Sequence, residues 1–453
     1  MGEQIRENKM GTMPIGKLLI TMSWPAMLSM MIQALYNIVD SMFVSMLGEQ
    51  ALAAVTYIFP VQMLMIAVGV GTGVGINSLI SRRLGAHRFE EADKAASHGY
   101  RLGFFSWVFF AVIGLFFSNI FMNLFTDTAY IAESGAVYMR IICTCSLFVM
   151  IQMTTEKILQ ATGNMLFPML CSIAGAVTNI ILDPLFIFGI GPFPEWGVAG
   201  AAVATVIGQI VSFCLGQYLL FAKKHHVHVK IRGFKMEKQI FKDIYAVGAP
   251  AIVMQALASV LQLGLNGILG GLSETAVAVN GVYGRVQSFI FMPVFGLNQG
   301  VMPIMGFNYG ARNKDRLMHA YKLAFKIAFT IMLIGLILFQ LFPEVFLSIF
   351  NASENMYSIG VPAFRIISIC FLPASFGIIT SSLLQATGHG VMSLWMSLIR
   401  QMIGILPLAF IFSQLWGLPA VWAAFPLAEV LGLTFAVICL VRVYKKEISK
   451  LDK

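Results

Sequence analysis

The chain has 453 residues, 58% of them hydrophobic and only 11% charged, with 28 Met and 37 Phe. That balance lies far outside the range of soluble domains and points to a polytopic membrane protein. A net charge of +9 without a basic helix or base-stacking module argues against nucleic acid as a partner.

Stretches of about 20 apolar residues cross a bilayer as helices. Twelve are predicted, at 17–46, 52–80, 99–122, 134–160, 165–190, 198–222, 244–270, 275–306, 320–342, 356–385, 391–413 and 418–441. The opening "MGEQIRENKM" mixes acidic and basic residues and leads into a helix too long for a signal sequence, so helix 1 is expected in the mature protein. Twenty-five of the 30 Lys and Arg cluster in five places: the N-terminal arm, the loop "SRRLGAHRFEEADK", the connector "KKHHVHVKIRGFK", the loop "ARNKDR" and the tail, each with its flank. The intervening connectors, around Glu49, Asp127, Glu195, Glu274, Glu344 and Trp416, contain neither residue. Basic loops stay in the cytoplasm, so both termini are expected there.

Helix 1 is free of charge from Leu18 to Leu47 except for Asp40. A carboxylate at bilayer depth costs at least about 2.5–3.5 kcal/mol, which makes Asp40 a functional candidate. Gln33, Asn37 and Asp40 recur at i, i+4 and i+7, with Tyr36 one turn before Asp40, and together form a polar stripe. Pro25 removes a helical hydrogen bond from the same helix and is expected to act as a hinge. In helix 2, "GVGTGVG" lacks the lysine and preceding strand of a nucleotide loop and reads as a close helix contact.

Helix 4 carries Glu156 beside Lys157, the acid being placed either to attract a cationic substrate or to pair with a neighbouring base. Helix 5 sets Asn179 one turn before Asp183, and helix 6 sets Ala201 one turn before Thr205. A hard cation such as Na+ needs several oxygen ligands of this kind, whereas a proton needs only a carboxylate. Met292, Met302 and Met305 in helix 8 are candidates for a substrate cavity, although packing is the simpler reading of each. Glu429 in helix 12 calls for a partner, with Arg400 the candidate. The six cysteines lie in apolar spans without metal-ligand spacing and are read as small hydrophobes, with no disulfide or metal.

The chain repeats itself. "LQATGNM" at Leu159 returns as "LQATGHG" at Leu384, an offset of 225. The same offset links Pro25 to Pro250, Gln62 to Gln287, Gly71 to Gly296, Gly75 to Gly300, Gly85 to Gly310 and Arg140 to Arg365. Six helices separate equivalent points, so the copies share one orientation across the membrane, as in transporters that rock two bundles. This divides the chain into lobes at 1–222 and 239–453 joined by a basic linker at 223–238. Asp40 and Asp183 map onto Leu265 and Leu408, so ion coupling is expected in the first lobe alone.

"SWPAM" with Gln33, Tyr36, Asn37 and Asp40, "LQATGN", "TNIILDPLFIFG", "WGVAGAAVATVIGQ" and "GLNQGVMPIMGFNYGARN" together resemble the multidrug and toxic compound extrusion (MATE) family over essentially the whole chain. The absence of acids from helices 7 and 10 resembles its DinF-like and MepA-like branch. The resemblance implies an all-α fold of twelve transmembrane helices in two pseudo-symmetric lobes. It also implies a bacterial inner-membrane antiporter that exports drugs, dyes and other lipophilic cations against H+ or Na+. In that family Asp40, Asp183, Asn179, Gln33, Tyr36, Asn37, Thr205 and Ala201 form the coupling site, and Na+ would sit at Asp40, Asn179, Asp183 and Thr205. No cofactor, enzymatic activity or obligatory protein partner is expected. A lipid-linked precursor flippase of the same superfamily is the alternative, and it requires Arg140, Arg285, Arg365 and Arg400 to converge.

Overall fold

The computed structural model describes residues 8–223, 225–230, 233, 235–350 and 352–451. Residues 224, 231, 232 and 234 of the expected linker lie outside the described residues, as do 1–7 and 452–453 of the two basic ends. A bilayer core offers no water to backbone groups, so spanning segments must satisfy them internally. Among the described residues every regular element is helical. The first half comprises α1 (Lys9–Thr12), α2 (Ile15–Ser45), α3 (Glu49–Gly85), α4 (Phe89–Asn123), α5 (Ala129–Thr144), α6 (Leu147–Ala161), α7 (Leu166–Phe188) and α8 (Gly197–Ala222). The second comprises α9 (Lys238–Gly270), α10 (Glu274–Gly310), α11 (Lys314–Leu341), α12 (Pro343–Ser348), α13 (Glu354–Ser368), α14 (Phe371–Ala386), α15 (Gly390–Leu398), α16 (Leu406–Leu415), α17 (Leu418–Val421) and α18 (Ala424–Lys446).

Among the described residues ten helices are long and apolar enough to span a membrane, and two bent pairs, each counted as one span, bring the number to twelve. The bent pairs, α5/α6 at 45° and α13/α14 at 48°, replace the continuous spans expected at 134–160 and 356–385. Both breaks fall at one repeat position, Cys145 in the first half and Cys370 in the second. Carbonyls near each break find donors from a neighbouring helix. Trp107 Nε1 donates to the Thr144 carbonyl at 2.7 Å, and Gln340 Nε2 donates to that of Arg365 at 2.7 Å.

A π-helical segment, Ile399–Ile405, separates α15 from α16. Its wide turn lays the stem of Arg400 over Gly432 of α18, and Arg400 Nη1 donates to Glu429 Oε1 at 3.2 Å. Glu429 thus has the partner its burial demands. Arg140 and Arg365 also find partners within their own halves: Arg140 donates to Asn119 Oδ1 at 3.3 Å, and Arg365 Nε to the Gln340 carbonyl at 3.3 Å. The described part of the linker lies over the start of α4, where Asp93 and His98 accept from the backbone N–H groups of His228 and Glu237.

The glycines that repeat mark the seam between the halves. A methyl on Gly71 would stand 2.5 Å from the Ile252 nitrogen of α9, and one on Gly296 would stand 2.6 Å from the Met27 nitrogen of α2. Gly75 meets Gly248 and Gly300 meets Ser23, each at 2.9 Å from a backbone atom. Gly85 faces the Phe307 carbonyl, and Gly310 faces that of Arg82. Only residues without a side chain allow helices this near. Hydrogen bonds reinforce the seam toward the basic face, where Arg83 pairs with Asp243 at 3.1 Å. There Arg316 Nη2 also holds the carbonyls of Met10 and Met13 at 3.0 and 2.8 Å. Farther out, nothing lies within 4 Å of a methyl on Gly281 or Gly284. The halves therefore close on the basic face and part toward the opposite one.

Two outcomes follow from this packing. Gly75→Ala together with Gly300→Ala should wedge the seam, so that nitroxide labels on the basic-face ends of α3 and α10 move apart; unchanged distances would show that the glycines do not hold it shut. Arg400→Met strands a buried carboxylate and should cost about 3–5 kcal/mol in unfolding free energy, while Arg400→Met with Glu429→Leu should recover most of that loss.

Candidate cation-coupling site

Asp40 lies on the last turns of α2 and Asp183 on the last turns of α7, which brings both carboxylates to the outer third of the first half. Asp183 is fully buried, and Asn179, one turn earlier, is 2% exposed. Asn179 Nδ2 donates to Asp183 Oδ1 at 3.2 Å and to Thr205 Oγ1 of α8 at 3.3 Å. Close packing of α7 on α8 makes this reach possible, because a methyl on Gly208 would already stand 2.8 Å from the Gly175 carbonyl. Asp40 and Asp183 interact electrostatically across this space.

Three buried oxygens in this space have no donor among the described residues: Asp40 Oδ1, Asp183 Oδ2 and Asn179 Oδ1. An unpartnered buried acceptor costs about 1–3 kcal/mol, more when charged. A proton shared between the carboxyl groups would satisfy the first two. A Na+ ion would draw on all three and on the Thr205 hydroxyl as well. The chemistry of the donor set, hard oxygens with at most two negative charges, fits either ion.

Tyr36 turns toward Thr205 and the two acids, whereas Gln33 and Asn37 are exposed and make no side-chain hydrogen bond among the described residues. The expected stripe is therefore split: Tyr36 and Asp40 face inward, and Gln33 and Asn37 face the cleft. Ala201 is fully buried one turn before Thr205 and contributes a methyl wall rather than a ligand. Tyr138 of α5 was not foreseen. Its ring is 2% exposed and its hydroxyl accepts from Gln62 Nε2 of α3 at 3.2 Å. The only signal in the sequence was that Gln62 repeats as Gln287.

Pro25 sits inside α2 without ending it, between Ser23 and Met27, the residues seated on Gly300 and Gly296. Met302 and Met305 are 6% and 0% exposed on α10, so both side chains pack in the core. Met292 remains partly exposed one heptad above Gln299. Glu156 accepts from Gln152 at 3.1 Å and Ser172 at 3.5 Å, not from a base. Consecutive helix residues diverge by about 100°, so Lys157 instead runs along Gly73 to the seam. There its Nζ donates to Gln160 Oε1 at 2.9 Å and to Gln299 Oε1 of the second half at 3.2 Å.

Comparisons with known proteins agree with this architecture. A family model named MatE matches residues 25–185 and 250–411, one copy in each half. A "FAD transporter" of Shewanella oneidensis is 26% identical over 418 residues, covering 92% of both chains. A "Multidrug export protein MepA" of Staphylococcus aureus is 25% identical over 423 residues, covering 92% of this chain and 91% of that one. A solved MOP superfamily transporter from Pyrococcus furiosus, described by a "reverse polarity of binding pocket", superposes with a TM-score of 0.90 at 29% identity over 100% of both chains.

Replacing Asn179 by Leu removes the donor to Asp183 and should lower the melting temperature in detergent at neutral pH. Asp183→Asn introduces an N–H that can reach the orphaned oxygen of Asp40, and it should melt no lower than the unaltered protein. The reverse order would mean that the three oxygens are satisfied in some other way.

Proposed function

The chain belongs to the MATE family, whose members are multidrug and toxic compound efflux transporters rather than enzymes, and on that premise we propose that it is a secondary antiporter coupling outward passage of lipophilic cations to inward H+ or Na+. The carrying observation is the set of three donor-less oxygens on Asp40, Asp183 and Asn179. Occupation of that set by a proton or Na+ relieves it, and the second half has no counterpart, with Leu265 and Leu408 at the equivalent positions. Coupling is therefore assigned to lobe 1–222, with 239–453 as the partner lobe and 223–238 as the linker.

The seam supplies alternating access. Its helices touch backbone to backbone on the basic face while the cleft is open on the other, so a small rotation about the seam exchanges the openings. Cation binding changes the hydrogen bonding between α2 and α7, and Pro25, placed at seam height on α2, is the hinge through which the change reaches the gate. Substrate enters past Glu156 and leaves between Met292 and the Gln33–Asn37 face. The basic loops support a reading with both termini in the cytoplasm of a bacterial cell and the connectors free of Lys and Arg outside its membrane. The flippase alternative is not favoured, because Arg140, Arg365 and Arg400 are each engaged within their own half.

Ethidium efflux from everted vesicles, with pH and Na+ gradients imposed separately, identifies the driving ion. Asp40→Asn and Asp183→Asn should each abolish gradient-driven efflux at matched protein levels. Full transport by both variants would remove the coupling assignment.

A further inference from the structure

We propose that the cleft carries an anion-binding subsite on its second half, centred on Arg285, that takes the carboxylate or phosphate of an otherwise lipophilic aromatic substrate. This deepens the transport reading above and rests on it. The placement follows from helix geometry. Residues seven apart on a helix are 20° short of two full turns and share a face, so Arg285, Met292 and Gln299 form one stripe on α10. Gln299 ends that stripe in contact with the first half, accepting from Lys157 and donating to Met30 Sδ at 3.2 Å. Gly296 and Gly300, on either side of Gln299, seat on α2. The stripe therefore faces the other half, and Arg285 stands about 20 Å above Gln299 along the axis, where the halves have parted.

Arg285 is exposed, and among the described residues it makes no hydrogen bond or ion pair. Arg140, Arg365 and Arg400 all have polar partners within their own half. A guanidinium at this depth is tolerable toward a water-filled cleft and costly toward lipid. Nor is it part of the duplicated scaffold, since the first half has Pro60 at the equivalent position.

The surroundings suit an anion. The opposite wall presents Gln33 and Asn37, both neutral. On the Arg285 side, Gln262, the counterpart of Asn37, is exposed and donates to Asn266 Oδ1 at 3.2 Å, which also accepts from Asn280 at 3.0 Å. The acids of the first half are replaced here by leucines, so a cation-seeking wall faces a wall with one unpaired positive charge. A guanidinium offers a planar pair of donors matched to carboxylate or phosphate.

The test uses the full-length protein in detergent and matched fluorescent pairs, read by anisotropy. One pair is a rhodamine with a free carboxylate and its methyl ester; the other is riboflavin and its monophosphate. Arg285→Gln should weaken the carboxylate dye roughly tenfold while leaving the ester unchanged, and Arg285→Lys should recover part of the loss. Unchanged ester binding also shows that the variant is folded. A parallel loss for the monophosphate assigns the subsite to both anions, and a loss confined to the rhodamine assigns it to carboxylates. Equal effects on acid and ester, or none, would overturn the subsite and leave the transport reading standing. If the unaltered protein neither binds nor exports the ester, the transport reading itself fails.

Discussion

Two carboxylates held in one poorly hydrated space, with no donor between them, set the terms for the first half of this protein. Such groups are costly unless something positive joins them. The surrounding structure is arranged to keep that position open: Asn179 is bound by its nitrogen to Asp183 and Thr205, which turns its oxygen toward the gap, and Gln62 occupies the Tyr138 oxygen from the far side. Close packing through Gly175 and Gly208 fixes α7 against α8 and so fixes these directions. What the site lacks is as specific as what it contains.

A site that gains or loses charge matters to the rest of the molecule only if a mechanical element registers the change. α2 is the element common to both, since Asp40 is near its outer end and Ser23 and Met27 rest on the seam. The seam is built from backbone contacts, which are stiff over small displacements and vanish over larger ones, and so favours two discrete arrangements over a continuum. Burial of Lys157 between two glutamine oxygens at the same level adds a polar contact between the halves.

Much of this was legible in the sequence because membranes make polar residues conspicuous. Asp40 and Asp183 stood out as isolated acids in apolar runs, helical spacing set Asn179 one turn from Asp183, and the family resemblance added Thr205. The repeat pointed to the seam glycines, although only coordinates could say that Gly71 meets Ile252 and Gly296 meets Met27. The bend at Cys145 was invisible because no proline or glycine lies at it, and the donor beside it, Trp107, is remote in sequence; the bend at Cys370 had a local mark in Pro373, which lacks the N–H that would bond the Ile369 carbonyl. The widened turn at Ile399–Ile405 had local marks in Gly404 and in Pro407, which lacks the N–H that would bond the Ile403 carbonyl, although neither specifies a wide turn. For Met302 and Met305, composition alone cannot say which side of a helix meets another helix and which meets a cavity.

The seam also records how the molecule arose. Met27 and Ile252, Ser23 and Gly248, and Arg82 and Phe307 are each separated by the repeat offset, and each receives the glycine of the other half at the matching position. Contacts of that kind, in which residue i touches j and the copy of j touches the copy of i, define a two-fold interface between identical subunits. An ancestor of half this length could have closed the same seam as a homodimer, with every feature of one wall obligatorily present on the other. Only after both copies were joined in one chain could one half keep its acids while the other exchanged them for leucines and acquired an arginine. Covalent fusion was thus the step that permitted a cleft with two different walls.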